Sequence, residues 1–191
     1  MLLTIGPPRP EQIDRVLEEG RAGSPTYAEI GASLAANLPD GYGHIRESAA
    51  LGSGPAAFDR AVTGLRQWEG HRHAGITVHP RDEAPAPGAT VALVIPAGFT
   101  TLTIANRVIT VVDDERRFGF VYGTLPGHGE QGEEAFVINR HDDDTVTFDI
   151  VAFSRPVGVA RLGTPAVRLL QLRATDRYLA GLQRFVKGES P

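Results

Sequence analysis

The stretch FGFVYGTLPGHGEQGEEAF, residues 118–136, contains the clearest secondary-structure signal in the chain. In residues 118–125, aromatic side chains alternate with glycine and aliphatic residues, and this period of two is typical of a β-strand. A turn sequence from Pro126 to Gly132 follows, and a second apolar run then begins. Because a parallel crossover needs a dozen or more residues, this short connection predicts an antiparallel pair of strands.

Turn signals on both sides of this pair divide the chain into further strands. The strands predicted along the chain are 44–52, 74–79, 89–95, 104–113, 117–125, 132–140 and 145–154. The links between the last six are short, so we expect antiparallel pairs again. The acidic link HDDD, residues 141–144, is interpreted as a hairpin tip, because it lacks the spaced acidic pattern of a calcium-binding EF-hand loop.

Apolar residues at helical spacing predict three helices. A short helix covers residues 10–19, and a second helix covers residues 55–68. A long helix near the end of the chain covers residues 164–187, with Thr164 as its N-cap. The basic residues that share one face of this last helix, interpreted as a solvated stripe with an anionic partner as the alternative, are Arg173, Arg177 and Arg184.

An antiparallel sheet of about seven strands and a long terminal helix predict an α+β fold. The apolar face of the sheet must be covered, and the terminal helix is long enough to cover it. A strongly curved sheet over a helix leaves a cavity, so this architecture favours a pocket between the two. We expect one domain, 1–191, in which residues 1–41 form an N-terminal helix and arm packed across the core formed by residues 42–191.

Composition excludes several classes of function. The 191 residues carry a formal charge of −4, which disfavours nucleic-acid binding. Cysteine is absent, so thiolate nucleophiles, disulfides and cysteine-ligated zinc are excluded. No run of about 18 apolar residues could span a membrane, and the first residues lack the features of a signal peptide. We therefore expect a cytoplasmic protein without a membrane span or a nucleic-acid partner, and the oligomeric state stays open.

The order of these elements resembles the helix-grip fold of the START-like, birch-pollen-allergen superfamily. The motifs TYAEIGAS, LGSGPAAFDRA, RFGFVYGTLPGHGEQGEEAF and FSRP are similar to those of the domain-of-unknown-function family nineteen-ninety of bacteria and plants. This similarity runs from about Tyr27 to the C-terminus. The superfamily resemblance implies a lipid, hormone or polyketide held between the sheet and the C-terminal helix, whereas the closer family resemblance implies no particular chemistry.

We expect the aromatic face of residues 118–125 to be the inner face and to line the pocket. The predicted apolar wall consists of Phe118, Phe120, Tyr122, Phe136 and Phe148. The predicted polar points in this wall are Asn106, Thr124, Glu134 and Ser154. A few convergent polar groups in an apolar concavity are typical of a small-molecule site. The alternative is that the aromatic residues form plain core and the glutamates lie in water.

Three residues are candidates for proton transfer in this pocket. Glu133 and Glu134 are consecutive, so only one of them faces inward on a strand, and we expect it to be Glu134. Burial disfavours the charged form of a carboxyl group and suits it to act as an acid or a base. His128 lies between glycines in the loop, where its imidazole could reach the pocket mouth. Tyr122 is the third candidate.

Two other polar clusters receive structural interpretations. His71, His73 and His79 share strand parity opposite to apolar residues, so we expect them to face solvent and to bind no metal. The sequence GSG, residues 52–54, precedes a helix but lacks a phosphate-loop motif, so we interpret it as a tight turn.

The leading functional prediction is binding of a hydrophobic or amphipathic small molecule in a cavity between the sheet and the C-terminal helix, without cofactor or metal. The first alternative is a cofactor-independent enzyme of the cyclase or dehydratase type that uses Tyr122, His128 or Glu134 for proton transfer. The second alternative is a protein–protein interaction module in which the aromatic strands pack solid and leave no cavity.

Overall fold

A computed structural model describes residues 1–158 and 164–189 of the chain, with the side chains of residues 164–170 outside the description. In this part of the chain the strands are β1 (Leu2–Ile5), β2 (Gly43–Ser53), β3 (Thr77–His79), β4 (Thr90–Ala97), β5 (Thr100–Asp114), β6 (Arg117–Thr124), β7 (Glu130–Arg140) and β8 (Thr145–Pro156). The helices are α1 (Pro10–Ala22), α2 (Pro55–Arg66), α3 (Glu69–His73) and α4 (Thr164–Lys187). A 3₁₀ turn, Ala32–Leu34, lies between α1 and β2.

The strands form one curved antiparallel sheet in the order β2-β8-β7-β6-β5-β4-β3. Each neighbouring pair is antiparallel, as the short links predict. β1 lies outside this order and pairs with β5, where Leu2–Ile5 run beside Thr100–Thr103. The α+β prediction is confirmed, and β1 is a strand that the sequence pattern did not indicate.

Helices α2, α3 and α4 cover one face of the sheet, which we call the inner face, and enclose the main core. The spacing of Phe58, Ala61 and Leu65 predicts that α2 buries them together, and all three are buried. The largest fully buried side chains of this core include Trp68, Phe118, Phe120, Phe136 and Phe148. Burial of each large apolar side chain stabilises the fold by roughly 1.5–3 kcal/mol.

The N-terminal arm covers the opposite face of the sheet, which we call the outer face. α1 packs Ile13, Val16 and Leu17 against β4 and β5. Further along the arm, Leu34 lies against Val121 of β6. Because both faces are covered, β6 is buried along almost its whole length, and the alternation of buried and exposed positions disappears. The arm therefore packs across the sheet on the side away from α4.

Gly123 allows the arm to lie close against β6. A Cβ atom at this position would come within 1.8 Å of the Tyr27 hydroxyl oxygen. Any larger residue would push the Tyr27 side chain off the strand. Phe153 contacts the same ring edge-on, with 5.7 Å between the ring centroids.

The segment after α2 is helical where the sequence pattern predicts a strand. Trp68 adopts a left-handed backbone conformation, with φ of 60°, and separates α2 from α3. The predicted strand 74–79 is reduced to the three residues of β3. Helical geometry removes the strand parity, so the predicted solvent exposure is wrong for His71, which is buried, and for His73, whose side chain is 2% exposed. His79 is partly buried.

The remaining predictions of secondary structure agree with the structure. α4 spans the predicted residues, although the capping interaction of Thr164 lies outside the described residues. The basic residues of its exposed face are Arg173, Arg177 and Arg184. The acidic link forms the turn between β7 and β8, and the carbonyl of Asp144 accepts the N–H of Gly54 at 2.8 Å in the turn before α2. In the described part of the chain, none of the helices is long and apolar enough to cross a membrane.

Candidate functional site

A cavity of about 160 Å³ lies between the inner face of the sheet and α4. Its aliphatic side consists of Leu93, Ile95 and Ile104 from β4 and β5. α4 forms the roof with Gln171, Ala174 and Tyr178, whose spacing places them on one face of the helix. The polar side chains that line the rest are Asn106, Tyr122, Thr124, His128, Glu130, Glu134 and Ser154. The cavity therefore has an apolar side and a polar side.

Two neighbouring rungs of the sheet form the polar floor of the cavity. The first rung contains Asn106, Thr124, Gly132 and Ser154. The second rung contains Tyr122, Glu134 and Ala152. Residues that oppose each other across antiparallel strands share a face and lie within side-chain reach. The register of β5 to β8 therefore gathers these polar groups on the inner face.

Glu134 is the carboxyl group at the centre of this floor. Its Oε2 accepts a hydrogen bond from the Tyr122 hydroxyl at 3.0 Å. Burial raises the pKa of Glu134 to about 7, and the charge of Glu130 adds to this rise, while the hydrogen bond from Tyr122 opposes it. Glu134 therefore exchanges between its protonated and ionised forms near neutral pH, which suits it to take up or release a proton.

Behind Glu134, a chain of hydrogen bonds continues into the core. The Tyr122 hydroxyl lies 3.4 Å from His71 Nε2 and also hydrogen-bonds to Tyr178. Burial lowers the pKa of His71 to about 3 and raises the pKa values of both tyrosines. All three side chains are therefore neutral at pH 7. Because Tyr122 donates its proton to Glu134, His71 donates Nε2–H to Tyr122 and holds it in this orientation.

His128 lines the cavity from the loop between β6 and β7. Its Nδ1 accepts the backbone N–H of Glu130 at 3.0 Å, so the proton of the neutral ring is on Nε2. Burial, together with the charge of the N-terminal amino group, lowers the pKa of His128 to about 4. The imidazole is therefore a neutral hydrogen-bond donor at pH 7, and its Nδ1 is already occupied.

Gln171 joins α4 to the sheet at one end of the cavity. Its Nε2 donates to Glu130 Oε1 at 2.6 Å and to Ser154 Oγ at 2.7 Å. Glu130 lies on β7 and Ser154 on β8. This bridge ties the roof of the cavity to its floor and fixes the carboxylate of Glu130 beside the cavity.

Asn106 has an amide nitrogen that lacks a hydrogen-bond partner among the described residues. The residue is 2% exposed, and its Nδ2 is buried without an acceptor. Buried polar groups are nearly always paired, and an unpaired one costs about 1–3 kcal/mol. Asn106 also lines the cavity, so this unpaired amide nitrogen belongs to a residue of the cavity wall.

The structure brings part of the predicted site together. The predicted residues that line the cavity are Asn106, Tyr122, Thr124, His128, Glu134 and Ser154. The predicted wall residues that lie instead in the packed core beside the cavity are Phe118, Phe120, Phe136 and Phe148. This placement corrects the predicted wall. The reason is Trp68, whose ring centroid lies 4.7 Å from that of Phe120, so that α2 and α3 fill this half of the inner face.

Sequence reasoning missed the aliphatic side of the cavity and four polar residues of the cavity and its network: His71, Glu130, Gln171 and Tyr178. The period of two along β7 places Glu130 on the same face as Glu134, so the sequence contained this signal. Gln171 and Tyr178 could be assigned only after the position of α4 over the sheet was known. His71 was given the parity of the predicted strand that follows it, but it lies in the helix α3.

The side chain of Glu133 lies on the outer face of the sheet. Its carboxylate accepts hydrogen bonds from the Tyr27 hydroxyl at 2.9 Å and from the Gly31 N–H at 2.5 Å. The N–H and the hydroxyl of Ser33 donate to its other oxygen at 3.2 and 2.9 Å. Glu133 is 3% exposed, and it anchors the arm to β7. Of the two consecutive glutamates, the structure therefore places Glu134 on the inner face.

The described part of the chain contains no candidate metal site. No group of three or more histidine, aspartate or glutamate side chains there is placed to hold a metal ion.

Comparison with known proteins identifies relatives over nearly the whole chain. A UPF0548 protein of Deinococcus radiodurans is 35% identical, and the match covers 96% of this chain and 98% of the relative. The crystal structure of hypothetical protein jhp0584 from Helicobacter pylori superposes with a TM-score of 0.57 at 12% identity, covering 85% of this chain and 96% of that protein. Ara h 8.0201 superposes with a TM-score of 0.50 at 10% identity, covering 78% of this chain and all of that protein.

At such low identity the two solved structures establish the fold alone, and they agree with the helix-grip resemblance drawn from the order of elements. The family described as Domain of unknown function (DUF1990) matches residues 26–181, which include the three glutamates of β7 and the roof of the cavity. The chain therefore belongs to the DUF1990 family and has the START-like helix-grip fold.

Proposed function

We propose that this protein binds a small amphipathic molecule in the cavity between the sheet and α4. The observation that carries this proposal is the division of the cavity into an aliphatic side and a polar side. Small-molecule sites combine apolar walls with a few placed polar groups in this way. The helix-grip fold agrees with a ligand-binding role in general terms.

The volume limits the size of the ligand. Drug-sized ligands occupy pockets of roughly 300–1,000 Å³, whereas this cavity measures about 160 Å³. An apolar cavity of about 150 Å³ can hold benzene. The expected ligand is therefore a single ring, or a short chain of similar size, with polar substituents at one end. A cytoplasmic location agrees with a metabolite of this size, and the proposal does not depend on it.

The unpaired nitrogen of Asn106 supports ligand binding over a solid interaction module. A module that only packs against another protein has no reason to keep a buried donor without an acceptor, because the cost of about 1–3 kcal/mol brings no benefit. A ligand with an oxygen acceptor would remove this cost on binding. Asn106 therefore favours a ligand that makes polar contacts as well as apolar ones.

A second candidate function is cofactor-independent acid–base catalysis on the bound molecule. The observation that favours it is the pKa of Glu134 near 7 inside the cavity, because perturbed ionisable groups in clefts are common in active sites. Tyr122 would position the carboxyl group, and His128 would donate a hydrogen bond to the substrate. In this case Glu134→Gln abolishes turnover of the retained molecule but leaves it bound.

The test is native mass spectrometry of the purified protein, combined with ligand-observed NMR against a library of single-ring compounds. Ala174→Phe fills the cavity from the roof, and Ala180→Phe is the matched control on the exposed face of the same helix. We expect binding by the wild type and the control, and none by Ala174→Phe. Equal binding by both variants, or no binding by the wild type, would refute the proposal.

A further inference from the structure

We infer that the ligand is a small organic amine that also carries an oxygen acceptor, with its ammonium group on Glu134 and its acceptor on Asn106. This inference rests on the proposed function and names the chemical class of its ligand. It follows from the charges that line the cavity and from the position of the amide nitrogen of Asn106, which is buried without an acceptor among the described residues.

The charges of the cavity wall favour a cation over an anion. Glu134 contributes a carboxyl group, whereas no lysine or arginine is found among the described residues that line the cavity. His128 is neutral at pH 7, because burial lowers its pKa to about 4. A carboxylate or phosphate ligand would lie beside the like charge of ionised Glu134 without a cationic partner among the described residues, which is unfavourable.

An ammonium group would find its counter-charge at Glu134. The groups that face Glu134 are Tyr122 on β6, Tyr178 on α4 and Glu130 on its own strand, with His71 of α3 behind Tyr122. Glu130 is the charged member of this set, and its charge helps to raise the pKa of Glu134. A bound cation would reverse this effect and leave Glu134 ionised.

Two hydrogen-bond donors define the other end of the ligand. Asn106 Nδ2 has no acceptor among the described residues, and His128 offers Nε2–H. Asn106 lies one rung away from the pair formed by Tyr122 and Glu134. Side chains on adjacent rungs are separated by about 7–8 Å or less. A short amine whose oxygen atom lies a few bonds from the nitrogen can therefore reach both positions.

The first test compares three single-ring probes of similar size that differ in charge: benzylamine, benzyl alcohol and benzoate. Calorimetric titration at pH 7.5 should show benzylamine binding at least tenfold more tightly than benzyl alcohol, with benzoate weaker than both. Between pH 5.5 and 8 the affinity for benzylamine should rise at least fivefold as Glu134 ionises, while that for benzyl alcohol stays constant within twofold. Glu134→Gln should remove the preference for the amine, whereas Glu115→Gln, the same change at an exposed turn, should retain it.

The results separate this inference from the proposed function. If benzyl alcohol or benzoate binds as well as benzylamine and Ala174→Phe abolishes that binding, the cavity binds ligands but the amine assignment is wrong. If none of the three probes binds the wild type, both the inference and the proposed function fail. An unchanged preference for benzylamine in Glu134→Gln also overturns the inference.

A second test concerns the acceptor and uses 3-methoxypropylamine and pentylamine, which have equal numbers of non-hydrogen atoms. In Asn106→Leu, the ratio of the two dissociation constants should shift at least fivefold toward pentylamine relative to the wild type. Pentylamine is the more hydrophobic of the two amines, and comparing the ratio with that of the wild type removes this difference. An unchanged ratio in a folded Asn106→Leu variant would overturn the role of Asn106.

Discussion

Glu133 and Glu134 are consecutive residues of β7 whose carboxyl groups serve opposite faces of one sheet. Glu133 accepts hydrogen bonds from the arm on the outer face, and Glu134 lies in the cavity on the inner face. The geometry of a strand requires this opposition, since successive side chains point to opposite sides. Removing one charge should therefore affect the arm, and removing the other should affect the cavity.

Glu133→Gln should loosen the N-terminal arm. An amide has only one acceptor oxygen for the four donors of Tyr27, Gly31 and Ser33, and its NH₂ group would face some of them. We expect the free energy of unfolding in urea to fall by about 2–4 kcal/mol. Limited proteolysis should also cut the arm faster than in the wild type.

Tyr27→Phe is the graded control for this change, because it removes one of the four hydrogen bonds and should cost only about 1 kcal/mol. A Glu133→Gln variant as stable as Tyr27→Phe, with an equally resistant arm, would show that Glu133 does not anchor the arm.

Gly123→Ala should be destabilising through the arm rather than through β6 itself. The added Cβ would come within 1.8 Å of the Tyr27 hydroxyl oxygen, so the ring must move and its bond to Glu133 is lost. We expect a loss of about 2–3 kcal/mol in urea unfolding. In a double-mutant cycle, the same change in a Tyr27→Ala background should cost at least about 1 kcal/mol less. Additive effects of the two substitutions would contradict the clash.

Glu134 should make the wild type less stable as pH rises through neutrality. Its pKa is raised from 4.5 to about 7 by burial, so its stabilising contribution is complete below pH 4.5 and is lost as pH rises through 7. At about 1.4 kcal/mol for each pH unit between these two pKa values, discounted for solvent screening because Glu134 is only partly buried, the loss is on the order of 2 kcal/mol. Relative to the wild type, Glu134→Gln should therefore gain stability between pH 4.5 and 8.

The measurement for Glu134 is urea unfolding at intervals of half a pH unit, with Glu115→Gln as the exposed control. The difference in the free energy of unfolding between the wild type and Glu115→Gln should not change with pH across this range. A flat difference for Glu134→Gln as well would mean that the carboxyl group is ionised throughout and that the cavity does not raise its pKa.

His71 should contribute to acid sensitivity. Burial lowers its pKa from 6.5 to about 3, so its contribution is complete above pH 6.5 and is lost as pH falls toward 3. His71→Phe fills the aromatic cluster and cannot be protonated, so its stability should fall less between pH 6.5 and 4. The lost hydrogen bond to Tyr122 should cost about 1 kcal/mol at pH 7.

Thermal unfolding monitored by circular dichroism at pH 4, 5, 6 and 7 would test this expectation. His44→Asn, at an exposed position of β2, is the control and should retain the acid sensitivity of the wild type. Part of the sensitivity should persist in His71→Phe as well, since the pKa of His128 is also lowered, to about 4. Identical acid profiles for His71→Phe and the wild type would contradict the prediction.

Particular residues show how far the sequence can predict the site. The alternation along β6 and β7 correctly separates Tyr122 and Glu134 from Glu133, because strand geometry depends only on neighbouring residues. The same alternation cannot distinguish Phe120, which lies in solid core, from Tyr122, which lines the cavity. Both side chains point to the inner face. Phe120 lies in solid core because Trp68 and α3 cover it more completely than they cover Tyr122.

The short elements were the hardest to predict. β1 has four residues and depends on pairing with β5, almost one hundred residues away in the chain. α3 has five residues and follows the left-handed turn at Trp68, which no local pattern in the sequence indicates. Segments of this length contain at most two full periods of hydrophobic alternation, so long-range contacts decide their structure.

The amino-acid sequence by itself determined the long strands, their antiparallel order, the terminal helix and the opposite orientation of the two glutamates. These features follow from periodicity and turn chemistry, which act between residues close in the chain. Only the tertiary structure decided that the arm covers the outer face, that His71 is buried and that the cavity lies beneath Gln171, Ala174 and Tyr178. The reason is that the docking of helices on a sheet depends on how side chains from distant segments fill the space between them, and a cavity is the part of that space left unfilled.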